Sequence, residues 1–119
     1  MLLHAVTDAL LGAAALGDIG ERFPDSDPAH RGRDSAEMLH QVCDEVTTAG
    51  WQIANIDCIV FAERPTLGPY KEAIRQRLAA VLDIETEQVG LKAKTGEGLD
   101  AVGRHEAIAA QCVVLLKAF

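Results

Sequence analysis

The stretch WQIANIDCIVFAE, residues 51–63, decides how this chain of 119 residues is organised. Its β-branched and aromatic side chains, among them Ile53, Ile56, Val60 and Phe61, favour the pleated backbone of a strand. Segments in which apolar residues recur at helical spacing precede and follow it. A strand between helices predicts one α/β or α+β domain over the whole chain.

Two helices are predicted before this strand and one after it. The first lies in LLHAVTDALLGAAALG, residues 2–17, which Gly17 ends. The second, residues 35–50, begins after the capping residue Asp34 and ends at a glycine. The third runs from about residue 69 to residue 82, with a proline in its first turn.

Two further segments complete the predicted domain. Residues 88–93 alternate apolar and polar side chains and predict a short strand. The final segment HEAIAAQCVVLLKA, residues 105–118, suits either a strand or a helix, because its valines favour the first and its alanines the second. We therefore expect a sheet of few strands with helices packed on one face.

Composition excludes several classes of protein. Hydrophobic residues make up 49% and charged residues 24%, which is the balance of a globular domain. Eleven Lys and Arg against 18 Asp and Glu give a net charge of -7, which argues against binding to nucleic acid. No apolar run approaches the roughly 18 residues of a membrane span. Three cysteines without C-x-x-C spacing indicate a reducing compartment, so we expect a cytoplasmic protein.

The first helix carries one candidate pair of functional side chains. His4 and Asp8 are about one turn apart and share a face. The two could bind a metal ion, or Asp8 could orient the imidazole of His4. Taken alone, a histidine on a helix is more often a packed or surface residue than a ligand.

The segment DIGERFPDSD, residues 18–27, is a second candidate, and we expect it to form neither a helix nor a central strand. Carboxylates on Asp18, Asp25 and Asp27 could accept hydrogen bonds from sugar hydroxyls or hold a divalent ion. A solvated turn in which the aspartates make Asx-type hydrogen bonds is an equally good interpretation.

A third candidate is KAKTGEG, residues 92–98, which lacks the spacing of a P-loop. Lys94 offers positive charge, Thr95 a hydroxyl, and Glu97 a ligand for Mg²⁺ on a diphosphate. Arg104 could add a phosphate contact. The alternative is a plain connection between two strands.

Taken together, these motifs resemble the 2-C-methyl-D-erythritol 2,4-cyclodiphosphate synthase family. The resemblance rests on residues 2–28, 55–65 and 92–104 and covers essentially the whole chain. It implies a homotrimer of α/β subunits with active sites between subunits, in which the final segment is a strand. It also implies a lyase of the non-mevalonate isoprenoid route. Such an enzyme converts 4-diphosphocytidyl-2-C-methyl-D-erythritol 2-phosphate to the cyclic 2,4-diphosphate and releases CMP.

The resemblance implies roles for individual residues. His4, in the motif L-H-A-x-T-D, would bind Zn²⁺ or another divalent transition metal, and Glu97 would hold Mg²⁺ or Mn²⁺ on the diphosphate. Thr95 would be catalytic and stabilise the transition state. Substrate contacts are implied for Asp18, Ile19, Gly20, Phe23, Pro24, Asp25, Ser26, Asp27 and Arg104. Nucleotide contacts are implied for Ala62, Glu63, Arg64, Pro65, Thr66, Leu67, Gly68, Lys94, Thr95, Gly96 and Glu97.

Two segments typical of the family do not occur in this sequence. One is a strand with a D-x-H motif, which would supply two more zinc ligands, and the other is an H-S-D-G-D segment ahead of the first helix. His30, His40 and His105 lie on the wrong elements to replace them. We therefore expect an N-terminally shortened member, through a misassigned start or genuine shortening. The alternative function is a catalytically impaired trimer that binds cytidine nucleotides or isoprenoid diphosphates.

Overall fold

The computed structural model describes residues 1–24, 34–63, 67–95, 101–102, 104 and 108–119. Three helices precede the first strand, and two 3₁₀ turns, Gly68–Tyr70 and Thr86–Gln88, lead into the last helix and the second strand. In chain order the elements are α1 (Leu2–Ala13), α2 (Ile19–Arg22), α3 (Ser35–Thr48), β1 (Trp51–Phe61), α4 (Lys71–Leu82), β2 (Val89–Lys94) and β3 (Ala109–Ala118). This order confirms the predicted α+β domain.

Strand β1 is the centre of the sheet, whose order over the described residues is β2-β1-β3. Strand β2 pairs with it in parallel, from Ile56 opposite Val89 to Phe61 opposite Lys94. Strand β3 pairs with it antiparallel over nearly its whole length. The final segment, ambiguous from its own residues, is therefore a strand, as the family resemblance implies.

The helices of the described ranges pack on one face of this sheet. Ile56, Cys58 and Val60 alternate along β1 with more exposed residues and join the core formed with α1, α3 and α4. On α3 the buried side chains are Met38, Leu39, Val42 and Val46, which is a stripe at helical spacing. The opposite face of β3 is apolar and open: Val113 is 72% exposed and Leu115 61%.

The loop predicted after α1 differs from expectation, because part of it is helical. Ile19–Arg22 forms one turn, and the carboxylate of Asp18 caps it by accepting the backbone N–H of Glu21 at 2.8 Å. The helix before it is shorter than predicted, since Ala15 and Gly17 adopt left-handed backbone angles. An ion pair between Arg22 and Glu45 joins the new turn to α3.

Candidate functional site

A cavity of about 200 Å³ lies where α1, the α2 turn and α3 meet. Its lining residues are His4, Ile19, Gly20, Phe23 and Met38. All but Met38 are residues to which the sequence analysis assigned a role in a metal or substrate site. The fold therefore brings together predicted site residues that are well separated along the chain.

The imidazole of His4 projects from the first turns of α1 and contacts α3. Its Nε2 atom lies 2.9 Å from Oγ of Ser35, the first residue of α3, in an exposed hydrogen bond. Asp34, just before it, caps α3 through the N–H of Ala36 and so places Ser35. Sequence reasoning missed Ser35, because the only local signal was a serine beside a helix cap. A hydrogen bond to one ring nitrogen fixes the orientation of the imidazole and leaves the other nitrogen for a ligand.

One interpretation of the pair was that Asp8 orients the imidazole of His4. The structure shows a different partner for Asp8. Its Oδ1 accepts a hydrogen bond from the backbone N–H of Ile19 at 2.9 Å. This bond attaches the start of the α2 turn to α1, while the Arg22–Glu45 ion pair attaches its end to α3. The turn that carries the predicted substrate residues is thus held from both sides.

The predicted substrate residues of this turn differ in their surroundings. Asp18 is exposed and makes the Asx-type hydrogen bond that the solvated-turn interpretation requires. Gly20 lines the cavity, and a Cβ built there would lie 3.4 Å from Oδ1 of Asp18. Phe23 is only 5% exposed, so most of its ring belongs to the core. Pro24 is half-buried, and the predictions for Asp25, Ser26 and Asp27 lie outside the described residues.

The predicted nucleotide residues form a second group at the carboxyl ends of β1 and β2. The backbone N–H of Ala62 donates to the carbonyl oxygen of Lys94 at 2.9 Å, so the segments that follow the two parallel strands start side by side. Loops at the carboxyl ends of parallel strands are where such sheets commonly bind ligands. Lys94 and Thr95 are exposed there.

Other members of this group are only partly described. Glu63, Leu67 and Gly68 lie within the described ranges, and Gly68 begins the 3₁₀ turn before α4. Arg104 is exposed in a turn and is not among the residues that line the His4 cavity. The predictions for Arg64, Pro65, Thr66, Gly96 and Glu97 lie outside the described residues.

The donor set around His4 does not fit a complete catalytic zinc site. Among the described residues, no group of three or more His, Cys, Asp or Glu side chains is placed to hold a metal ion. A catalytic zinc takes three protein ligands, and His4 supplies one imidazole. His40 is exposed on α3, and His30 and His105 lie outside the described residues.

In the same described ranges, no helix is long and apolar enough to span a membrane.

Comparison with known proteins places this geometry in a family. Residues 1–117 match the YgbB family. The 2-C-methyl-D-erythritol 2,4-cyclodiphosphate synthase of Treponema denticola is 49% identical over 116 residues, which cover 98% of this chain and 72% of the relative.

Solved structures agree with this match. Bifunctional IspDF from Campylobacter jejuni superposes with a TM-score of 0.94 at 42% identity, over 99% of this chain and 32% of that longer one. A 2C-methyl-D-erythritol-2,4-cyclodiphosphate synthase in its CDP-bound form gives 0.88 at 38% identity, over 97% of this chain and 74% of that one. The chain therefore belongs to the YgbB family, and its relatives include 2-C-methyl-D-erythritol 2,4-cyclodiphosphate synthases.

Proposed function

We propose that this chain is a 2-C-methyl-D-erythritol 2,4-cyclodiphosphate synthase. Its substrate would be 4-diphosphocytidyl-2-C-methyl-D-erythritol 2-phosphate, and its products the cyclic 2,4-diphosphate and CMP. One observation carries the proposal: His4, Ile19, Gly20 and Phe23 line a single cavity. The identity of 49% to a synthase of that name supports the same assignment.

The reaction requires positioning rather than redox or covalent chemistry by the protein. An oxygen of the 2-phosphate attacks the β-phosphorus of the diphosphate and forms a new phosphorus–oxygen bond. The bond from that phosphorus to the bridging oxygen of the α-phosphate breaks, and CMP leaves with the electron pair. Negative charge on the phosphates must be neutralised throughout, and this is the task of the cationic and hydroxyl groups around them.

The α2 turn is proposed to bind the methylerythritol portion. The exposed carboxylate of Asp18 would accept hydrogen bonds from sugar hydroxyls while one of its oxygens keeps the turn capped. The backbone at Ile19 and Gly20 would lie against the ligand, because both residues line the cavity. Phe23, anchored in the core, would hold the end of the turn in place, with Pro24, Asp25, Ser26 and Asp27 continuing the contact.

The strand ends are proposed to bind the diphosphate and the cytidine. The ammonium of Lys94 and the hydroxyl of Thr95, at the end of β2, would contact phosphate oxygens. Residues 62–68 would surround the base. The hydrogen bond between Ala62 and Lys94 joins this segment to the end of β2, so the base would lie beside the phosphates. Glu97 would hold Mg²⁺ or Mn²⁺ on the diphosphate, and Arg104 would add positive charge.

His4 is proposed as one ligand of a divalent transition metal, with Ser35 orienting its ring. Such a metal would polarise a substrate phosphate. The proposal is limited to this one ligand, because the described residues around His4 supply no complete set.

A homotrimer is the proposed assembly, in the cytoplasm. None of the described residues at the carboxyl ends of β1 and β2 lines the cavity at His4, so the described part of one chain presents two partial sites. A neighbouring subunit would bring a strand-end group to each cavity. The open apolar face of β3, with Val113 and Leu115 exposed, offers the surface for such contacts.

The test is turnover by the purified chain with Mg²⁺ and Zn²⁺ present, followed as CMP release. Thr95→Ala and Asp18→Asn should each lower kcat/KM, whereas Glu87→Gln, an exposed change on the turn before β2, should not. Calorimetric titration with CDP in parallel gives the complementary result. CDP binding without CMP release would overturn the proposal in favour of a non-catalytic nucleotide-binding trimer.

A further inference from the structure

Two cysteines that the proposed reaction does not use lie opposite each other on neighbouring strands of the sheet. Cys58 of β1 and Cys112 of β3 are direct partners in the antiparallel register. Their Sγ atoms lie 3.4 Å apart, and both thiols are free. Two thiols in direct sulfur contact can react with each other, whereas two isolated buried thiols cannot.

The backbone geometry already suits a covalent bond between them. Directly opposed residues of an antiparallel pair have Cα atoms about 4.5–5.5 Å apart. A disulfide spans Cα separations of about 4.4–6.8 Å. The Cα separation expected for this pair therefore lies within the range that a disulfide spans.

A route for a small reagent reaches this pair from one side. A surface cavity of about 370 Å³ between α1 and β3 is lined by Ala5, Asp8, Ala9 and Cys112, among others. Cys112 is partly exposed there, whereas Cys58 is fully buried behind it. A small hydroperoxide that enters this cavity would meet the sulfur of Cys112 first.

We propose that Cys58 and Cys112 form a dithiol modification site, which a small hydroperoxide oxidises to a disulfide between β1 and β3. One sulfur attacks the peroxide, the oxygen–oxygen bond breaks, and a sulfenic acid and an alcohol or water form. The second thiol then attacks the sulfenic sulfur, and water leaves as the sulfur–sulfur bond forms. The two electrons that the thiols lose reduce one hydroperoxide, so the step is balanced.

The environments of the cysteines favour this pair over the third cysteine. The contact with Cys112 lowers the pKa of Cys58, because a thiolate there accepts the S–H of Cys112. The same contact raises the pKa of Cys112, because its S–H is the donor to that thiolate. On α3, burial first and the neighbouring Asp44 second raise the pKa of Cys43 to about 11, so its reactive thiolate is scarce at neutral pH.

The test treats the full chain with hydrogen peroxide, then counts free thiols by alkylation under denaturing conditions and maps the linked peptides by mass spectrometry. We expect the count to fall from the three cysteines of the sequence to one, with a single link between Cys58 and Cys112. The midpoint of thermal unfolding should rise by several degrees, because the bond closes a long loop of the unfolded chain. Adding a thiol reductant should reverse both changes.

Matched variants decide which cysteines react. Cys43→Ala should form the same link at the same rate, whereas Cys112→Ser should form no intramolecular link and keep both remaining thiols. Three thiols persisting in the wild-type chain would overturn the proposal. So would a link through Cys43, or links that join separate chains instead of β1 to β3.

Discussion

The carboxylate of Asp8 accepts the backbone N–H of Ile19 at 2.9 Å, and this hydrogen bond ties α1 to the α2 turn. His4 lies one turn earlier on the same helix and lines the cavity that Ile19 and Gly20 also line. Asp8 thus fixes where the turn meets His4, although it does not contact the imidazole. Its role is to position the candidate site.

Asp8→Ala should separate the turn from α1. The lost hydrogen bond is exposed, so we expect a loss of about 1 kcal/mol in the free energy of unfolding. Because the turn is proposed to bind substrate, the KM for the diphosphocytidyl substrate should rise more than kcat falls. Urea unfolding and CMP-release kinetics measure the two effects. Glu87→Ala, which removes another exposed carboxylate on the turn before β2, is the control, and equal kinetics in both variants would contradict the positioning role.

Two substitutions at Asp18 should distinguish its role in capping the α2 turn from the role of its negative charge. Asparagine caps helices about as well as aspartate, so Asp18→Asn should leave stability within about 0.5 kcal/mol of wild type. Asp18→Ala loses the cap and should cost about 1 kcal/mol. Both variants should lose activity if the carboxylate contacts the substrate. A fully active Asp18→Asn would show that Asp18 acts only through the fold of the turn.

Ser35→Ala should raise the metal concentration that activity requires, without unfolding α3. Asp34, which provides the cap, is untouched by this change. Removing a group that orients a metal-binding histidine typically costs about 10–100-fold in metal affinity. The concentration of Zn²⁺ that gives half-maximal activity should therefore rise, with kcat recovered at saturating metal.

Ser35→Thr is the matched rescue, because it keeps a hydroxyl near Nε2 of His4. A shift in metal requirement that is the same for the alanine and threonine variants would mean that the hydroxyl has no orienting role. No shift in either variant would lead to the same conclusion.

The open face of β3 should control assembly. Leu115→Glu places a charge on a side chain that is 61% exposed in the single chain, so the folded subunit should tolerate it. In a trimer that buries this face, the same charge is costly, and the variant should run as a monomer with little activity. Light scattering should give three times 12.7 kDa for wild type and for Gln76→Glu, an exposed change on α4. A Leu115→Glu trimer of normal activity would exclude this face as the interface.

Cys43 gives the fold a defined pH dependence. Its pKa is raised from 9.0 to about 11, mainly by burial, so the fold favours the neutral thiol. The corresponding stability is fully present below about pH 9 and is lost as the pH rises through about 11. The shift corresponds to roughly 2–3 kcal/mol. Urea unfolding between these pH values should show a fall that Cys43→Ala flattens, and parallel curves for the two proteins would contradict it.

Local signals predicted much of the fold. The cap at Asp34 and the apolar spacing of α3 are properties of neighbouring residues, and the structure shows both. The segment that became β3 could not be assigned from its residues, because valine and alanine favour different backbones. Pairing with β1 along its length decides the outcome, and only the family resemblance indicated it beforehand.

The candidate site could be predicted only in part. The family resemblance identified the motif residues His4, Ile19 and Gly20, and the structure places them around one cavity. Contacts between distant residues carry no local signal. The His4–Ser35 hydrogen bond joins positions 31 apart, and the Cys58–Cys112 contact positions 54 apart. Both depend on how α1 meets α3 and on the register of β3, which only the folded chain reveals.

The most direct test of the proposed activity is phosphorus NMR of the chain with 4-diphosphocytidyl-2-C-methyl-D-erythritol 2-phosphate and divalent metal ions. The account predicts that substrate signals are replaced by those of the cyclic diphosphate and CMP in equal amounts, and that Thr95→Ala slows this conversion. Unchanged substrate in the presence of folded, trimeric protein, or CMP formed without the cyclic product, would contradict it.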